Sequence, residues 1–315
     1  MERSAKELGY DITLIDAEYG HSGVASIYLI EQQGRVAIIE TGTNNSLPFI
    51  EVALQDAGLS FDNVDYIIPT HVHLDHAGGA GELMHKCVNA QLVVHPFGAK
   101  HLIDPSKLEA GTIAVYGEEN FRKLYGSIRP IEESRVIEAP DNFKLNLNGR
   151  ELLFLDTPGH ARHHFCIYDK KSSGIFSGDT FGVSYPQLSS GKGRLIFATT
   201  TPVQFDPGAL LNSIDRLMSL EPRTIFLTHF GPITPAKDVV DQLKNSVNKF
   251  KEIALEEKET KENRIDRIQL KINDYLLEQV DALDINFSHE ECLNVIKMDT
   301  QLNAQGLDFW LSKTS

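Results

Sequence analysis

Thr70-His71-Val72-His73-Leu74-Asp75-His76-Ala77-Gly78-Gly79 carries three imidazoles and a carboxylate within six consecutive residues. Upstream, the apolar run Val64 to Pro69, with Tyr66, Ile67 and Ile68, has the length of a buried strand, and Ala80 to Cys87 reads as a helix entered through Gly78 and Gly79. The cluster therefore sits on a strand-to-helix turn. Residues two apart in extended chain point the same way, so His71 and His73 can converge on one ion, and the turn swings Asp75 and His76 towards a second position beside it. Four potential ligands at a strand end read as a metal site rather than as a polar loop with chance histidines.

This H-x-H-x-D-H turn resembles the hallmark of the metallo-β-lactamase-fold superfamily, whose remaining ligands follow downstream in fixed order. Thr157-Pro158-Gly159-His160 follows the apolar run Leu152 to Leu155, Ser177-Gly178-Asp179-Thr180 follows Gly174-Ile175-Phe176, and Thr228-His229-Phe230-Gly231 follows Ile225-Phe226-Leu227. The resemblance covers roughly residues 10 to 235. It implies an α/β protein built as an αββα sandwich, with a glyoxalase-II-like motif set. His71, His73 and His160 then bind a first metal, Asp75, His76 and His229 a second, and Asp179 bridges them. Neutral imidazoles and carboxylates suit two divalent transition-metal ions, zinc foremost, with iron or manganese accepted by the same donors. Asp75 is also the catalytic candidate, to orient a water or relay its proton.

Two family elements depart from their usual form. Glu40 stands in Ile39-Glu40-Thr41-Gly42 where relatives carry D-T-G, whose acid supports the ligands from behind. His164 matches a supporting histidine, while His163 replaces a glycine, and both are candidates for support or structure. His85, His95, His101 and His289 have no motif around them and read as surface or packed histidines.

Beyond the motifs, the chain has 315 residues, is 41% hydrophobic and carries a formal net charge of −14. That composition supports a packed core, and the charge argues against a surface that must neutralise phosphates, so nucleic acid is not an expected partner. No apolar run is long enough to span a membrane, and Met1 to Gly9 lacks a signal-peptide core. Cys87, Cys166 and Cys292 are odd in number and far apart, which fits a reducing cytoplasm rather than a disulfide framework.

Along the chain, strands are expected at Asp11 to Ile15, Ala25 to Glu31, Arg35 to Glu40, Ala90 to His95, Arg135 to Ala139, Phe143 to Leu147, Glu151 to Leu155, His164 to Asp169, Gly174 to Ser177 and Arg223 to Leu227. Helices are expected at Leu47 to Ala57, Pro96 to Ile103 and Pro207 to Leu220, with Tyr116, Phe121 and Tyr125 read as helix packing. Phe181 to Pro207, rich in Gly, Ser, Thr and Pro, reads as a long loop starting beside Asp179. Its Tyr185, Phe197 and Phe205, with His21 before the second of these strands, are the substrate-pocket candidates. Residues 1–235 form the expected catalytic domain. Residues 236–315 form a helical extension, with helices over Ala236 to Glu259, Asn263 to Val280 and, opened by a Ser288/Glu291 capping box, Glu290 to Met298. That extension is a buttress, a homodimer contact or a lid.

The resulting expectation is a hydrolase of a small ester, thioester, lactone or phosphoester that uses hydroxide activated by two metals. The tail lacks a basic cluster recognisable as a glutathione site. An iron-containing redox protein of the same fold and a non-catalytic regulator are the competing readings. Redox relatives usually carry glutamate where His73 stands, and a regulator is favoured only if ligands are missing.

Overall fold

The computed structural model describes residues 5–20, 22–200, 204–259 and 261–314. In chain order the elements begin with β1 (Ala5–Gly9), β2 (Ile12–Asp16), β3 (Ser26–Gln32), β4 (Arg35–Ile39), α1 (Leu47–Asp56), β5 (Val64–Ile68), α2 (Leu74–Ala77), α3 (Ala80–Lys86) and β6 (Gln91–Val94). They continue with α4 (Pro96–Ile103), α5 (Ser106–Tyr116), α6 (Glu118–Tyr125), β7 (Val136–Glu138), β8 (Lys144–Leu147), β9 (Arg150–Asp156), β10 (Phe165–Asp169) and β11 (Gly174–Gly178). The remainder are β12 (Ser189–Ser190), β13 (Gly193–Arg194), α7 (Pro207–Met218), β14 (Thr224–Leu227), β15 (Pro232–Ile233), α8 (Lys237–Glu256), α9 (Arg264–Ala282) and α10 (His289–Thr314).

The chain forms two compact units that interleave in sequence. One comprises Met1–Asp156, His163–Gly178 and Arg223–Ile233; the other Thr157–Arg162, Asp179–Pro222 and Thr234–Ser315.

The first unit holds two mixed sheets, one of seven strands in the order β1 to β7 and one of six in the order β15-β14-β11-β10-β9-β8. Near-continuous apolar runs in β3 to β6 have a physical reason, because these strands are buried on both faces. Ile27, Leu29, Val36, Ile38, Ile67, Leu92 and Val94 pack with Ile50, Leu54, Leu83 and Leu102 of the helices. Their alternating neighbours Tyr28, Ile30, Ala37, Ile39, Ile68 and Val93 meet Leu152, Phe154, Phe165, Ile167, Phe176 and Phe226 of the second sheet. The period of two thus sorts one strand's side chains into two cores. Phe121 and Tyr125, both buried, anchor a smaller cluster with Leu74 and Ile128, in keeping with the helix-packing expectation.

β1 was hidden in sequence by its polarity. It pairs antiparallel with β2, its pairing shifts between Glu7 and Gly9, and Lys6 and Glu7 are exposed.

The second unit is mainly helical. α8, α9 and α10 bury Leu243, Val247, Phe250, Ile268, Ile272, Leu276, Val280, Ile296, Leu307 and Leu311. The Ser288/Glu291 capping box is present: Ser288 N donates to Glu291 Oε2 at 2.8 Å and Glu291 N to Ser288 Oγ at 3.2 Å. The helix it opens runs on to Thr314, well beyond Met298, because Ala304, Leu307 and Leu311 continue its buried face. Between residues 181 and 200, the expected loop contains the β12–β13 hairpin and a bridge between Val183 and Phe197. No helix among the described residues is long and apolar enough to cross a membrane.

Candidate metal centre

In the first unit, β5 ends at Ile68 and delivers His71 and His73 from extended chain. His73 then caps the one-turn helix α2, which carries Asp75 and His76. The segment after β4 braces this turn from behind: Thr41 N and Thr41 Oγ1 both donate to the His76 carbonyl at 2.8 Å, and Gly79 N donates to the Gly42 carbonyl at 3.0 Å. β14 brings His229, whose neighbour Thr228 accepts from Ser26 N at 2.7 Å through its carbonyl.

These residues gather closely. His71 Nε2 lies 2.8 Å from His73 Nδ1, and the His71 and His76 rings are 4.0 Å apart. Asp75 Oδ2 lies 3.6 Å from His76 Nε2 and 3.6 Å from His229 Nε2. Asp75, His76 and His229 offer one ligand atom each, all within 4.8 Å of one another.

Glu40 organises the imidazoles from beneath. It is 1% exposed and sits in left-handed backbone at φ +66°. Its Oε1 accepts from Thr70 Oγ1 at 2.6 Å, Thr228 Oγ1 at 2.8 Å and His76 Nδ1 at 3.0 Å, and its Oε2 accepts from Thr70 N at 3.1 Å. One carboxylate therefore ties together the end of β5, α2 and the end of β14. Such backbone costs a non-glycine residue about 1–2 kcal/mol, less than four buried charge-assisted bonds contribute.

The hydrogen bonds also set ring tautomers. His76 Nδ1 donates to Glu40, and His229 Nδ1 donates to the Val24 carbonyl at 3.0 Å. Thr70 Oγ1 gives its proton to Glu40, so towards His71 Nδ1, at 3.1 Å, it accepts. All three rings thereby direct Nε2 lone pairs inward. His164 is buried with its ring 4.9 Å from that of His71, and Gly178, at φ +49°, has no side chain for a steric reason. A Cβ there would fall 2.4 Å from His164 Nε2 and 2.5 Å from Thr70 Oγ1.

In the second unit, His160 Nε2 lies 3.3 Å from Asp179 Oδ2. Gly159 puts His160 in place at φ +136°, where a Cβ would lie 2.4 Å from the Leu210 backbone. Its carbonyl accepts from Asp206 N at 2.7 Å, and Asp206 in turn caps α7. Thr199, which carries no motif, sits against His160 with Oγ1 3.1 Å from Nδ1. No local pattern of residues marks it.

The pocket candidates fare differently. Phe197 is wholly buried and Tyr185 is 5% exposed, its hydroxyl donating to Asp299. Burial, then the Asp299 charge and this hydrogen bond, push the Tyr185 phenol far above its usual value. Phe205 is also buried, near Trp310. His21 lies outside the described residues.

Of the remaining histidines, His85 and His289 are exposed, whereas His95 is buried and reaches Asp156 at 3.1 Å. His101 is half-buried, and burial, then Lys100 and Lys107, lower its pKa. His163 is 7% exposed, its ring 5.7 Å from that of His73.

Imidazoles with preset lone pairs beside carboxylates, and no thiolate among them, fit divalent transition metals. Comparison with known proteins agrees. Metallo-beta-lactamase fold-containing protein ST1585 of Sulfurisphaera tokodaii is 28% identical over 72% of this chain and 80% of its own length. Acyl-coenzyme A thioesterase MBLAC2 of Gallus gallus is 29% identical over 55% of this chain, a match spanning 64% of that relative. The solved structure of the archaeal ST1585 protein from Sulfolobus tokodaii superposes with a TM-score of 0.62 at 23% identity, covering 94% of this chain and 97% of that one. The sequence model of the Metallo-beta-lactamase superfamily matches residues 22–229, and the chain belongs to that superfamily.

Proposed function

We propose that the protein is a dinuclear metal-dependent hydrolase of a small ester-type substrate, with a thioester foremost. The observation that carries this reading is the donor set: imidazoles oriented by outward hydrogen bonds, together with Asp75 and Asp179. In this reading His71, His73, Asp75, His76 and His229 of the first unit, and His160 and Asp179 of the second, would be the residues that hold the metal. Divalent ions bound there would supply Lewis acidity, which makes water acidic enough to serve as a nucleophile near neutral pH.

The chain's own groups do the rest. Glu40, Thr70 and the Val24 carbonyl keep ring protons on Nδ1 of His76, His71 and His229. Asp75, whose side chain is 24% exposed, orients the attacking water and holds its proton at a carboxylate oxygen until the leaving group needs it. A thiolate leaving group, with a far lower pKa than an alkoxide, needs little help from that proton. The thioesterase name of one relative supports this choice of substrate. Three buried cysteines without a disulfide fit a reducing cytoplasm.

The test is elemental analysis of purified protein beside turnover of thioesters, esters, lactones and phosphodiesters. About two metal ions per chain and thioester cleavage are expected. Asp179→Ala should lose metal and activity together, while His163→Ala should change neither severely. A chain that holds at most one ion after supplementation with zinc, iron or manganese, or an iron charge-transfer band without hydrolysis, refutes the reading.

A further inference from the structure

Thr199 Oγ1 meets two groups within the second unit: the Asp179 main-chain carbonyl, to which it donates at 3.1 Å, and His160 Nδ1 at 3.1 Å. A hydroxyl carries one proton. With that proton given to Asp179, the oxygen can only accept from His160, so the ring proton resides on Nδ1 and the lone pair on Nε2, the atom facing Asp179 Oδ2. The Thr199 carbonyl, 3.5 Å from Nδ1, favours the same tautomer.

Thr199 is itself gripped on both flanks by one side chain of the C-terminal helix. Asn303 Nδ2 donates to the Ala198 carbonyl at 3.0 Å, and Thr200 N donates to Asn303 Oδ1 at 2.6 Å. Thr200 Oγ1 donates to the Asn303 carbonyl at 3.0 Å, and Ala198 N donates to Ser246 Oγ of α8 at 2.9 Å. Ala198, Thr200 and Asn303 are at most 1% exposed, so water does not compete for these bonds. A buried asparagine in a helix interior is costly unless its amide is satisfied, and here both amide atoms serve one three-residue segment.

We propose that Thr199 and Asn303 are positioning residues: Asn303 fixes the backbone at Ala198–Thr200, and the Thr199 hydroxyl locks His160 in the tautomer and orientation that a metal requires. The inference rests on the metal reading given above. It assigns to α10 and to the segment after Asp179 a part in building the site. Neither forms a substrate wall in this assignment.

The experiment compares the full-length protein with Thr199→Ser, Thr199→Val and Asn303→Ala. Ser189→Ala, an exposed hydroxyl on the same segment bonded only to the Pro186 carbonyl, is the control. Zinc affinity and stoichiometry are read by chelator competition, ligand geometry by the absorption spectrum of cobalt-substituted protein, and folding by melting of the metal-free chain. Thr199→Val should release one of two zinc ions about tenfold more readily and alter the cobalt spectrum, with Thr199→Ser and Ser189→Ala within about threefold of the parent. Asn303→Ala should move the same way as Thr199→Val. If the parent holds two ions and Thr199→Val keeps its affinities and spectrum, the positioning inference fails and the metal reading stands. If the parent holds none, both fail. A measurement independent of any variant is the tautomer of His160 in the metal-free protein by nitrogen-15 NMR: a proton on Nδ1 is expected, and one on Nε2 overturns the inference.

Discussion

Replacing Glu40 by aspartate would restore the D-T-G form of the motif that Ile39-Glu40-Thr41-Gly42 resembles, yet it should damage this protein. Glu40 accepts four hydrogen bonds of 2.6 to 3.1 Å. Removing one methylene withdraws the carboxylate by about 1.5 Å, which stretches those contacts to roughly 4 Å, beyond hydrogen-bond range. Bonds to a buried charge contribute about 1.5–3 kcal/mol each. If backbone movement recovers half of them, the loss is still at least about 3 kcal/mol, or roughly 4–5 °C in melting temperature for a chain of this length. His76 loses the acceptor that fixes its Nδ1 proton, so metal affinity should fall about ten- to hundredfold. Calorimetric melting of the metal-free protein and chelator competition read the two effects separately. Glu40→Asp protein that melts within about 2 °C of the parent and binds metal as tightly would refute the argument that glutamate length is matched to this backbone.

Two further outcomes follow from packing and charge. Arg150 and Asp169 form a fully buried pair, with Arg150 Nη2 2.5 Å from Asp169 Oδ2, and removing one partner should cost about 3–5 kcal/mol. Burial alone would raise the Asp169 carboxyl, but bonds from Arg150 and Ser172 outweigh it and hold the group below its usual value. Its stabilisation is therefore complete above the unfolded value of about 3.9 and is lost as pH falls through the lower folded value. Asp169→Asn should flatten the acid limb of the stability profile measured by urea unfolding; an unchanged limb would show that the pair does not set it. A chain ending at Ala236 removes α8 to α10 and with them the Asp299, Ser246 and Asn303 partners of Tyr185, Ala198 and Thr200, and it uncovers buried side chains worth about 1.5–3 kcal/mol each. Residues 179–222 should then become the first site of limited proteolysis, and a truncated chain resisting protease as the parent does would contradict this.

Much of the candidate site was legible because its candidate ligands cluster just after short apolar strands, and strand geometry is local. His71 and His73 could be paired from the period of two alone. Glu40 was visible as a departure from a motif, although its four bonds come from three residues, Thr70, His76 and Thr228, that only the fold brings together. Thr199 and Asn303 were invisible, since a threonine in a polar stretch and an asparagine in a helix acquire meaning only through tertiary contact. Length misled at α10, where Gly306 and the polar run before Leu307 mask a buried face that continues to Leu311. In the segment after Asp179, turn-rich composition hid the burial of its aromatic residues Tyr185, Phe197 and Phe205.

Strand β1 has a consequence for behaviour at high concentration. The open edge of a sheet is a template for another chain's strand, and natural sheets blunt such edges with charge and irregular pairing. Lys6 and Glu7 supply the charge and the shift between Glu7 and Gly9 the irregularity, so the outermost strand is a poor recruit for aggregation. β2 behind it carries one charge, Asp16 at its end, and pairs with β3 in unbroken register. Losing β1 would leave the candidate metal ligands in place while making β2 the sheet edge, open to pairing with copies of the chain.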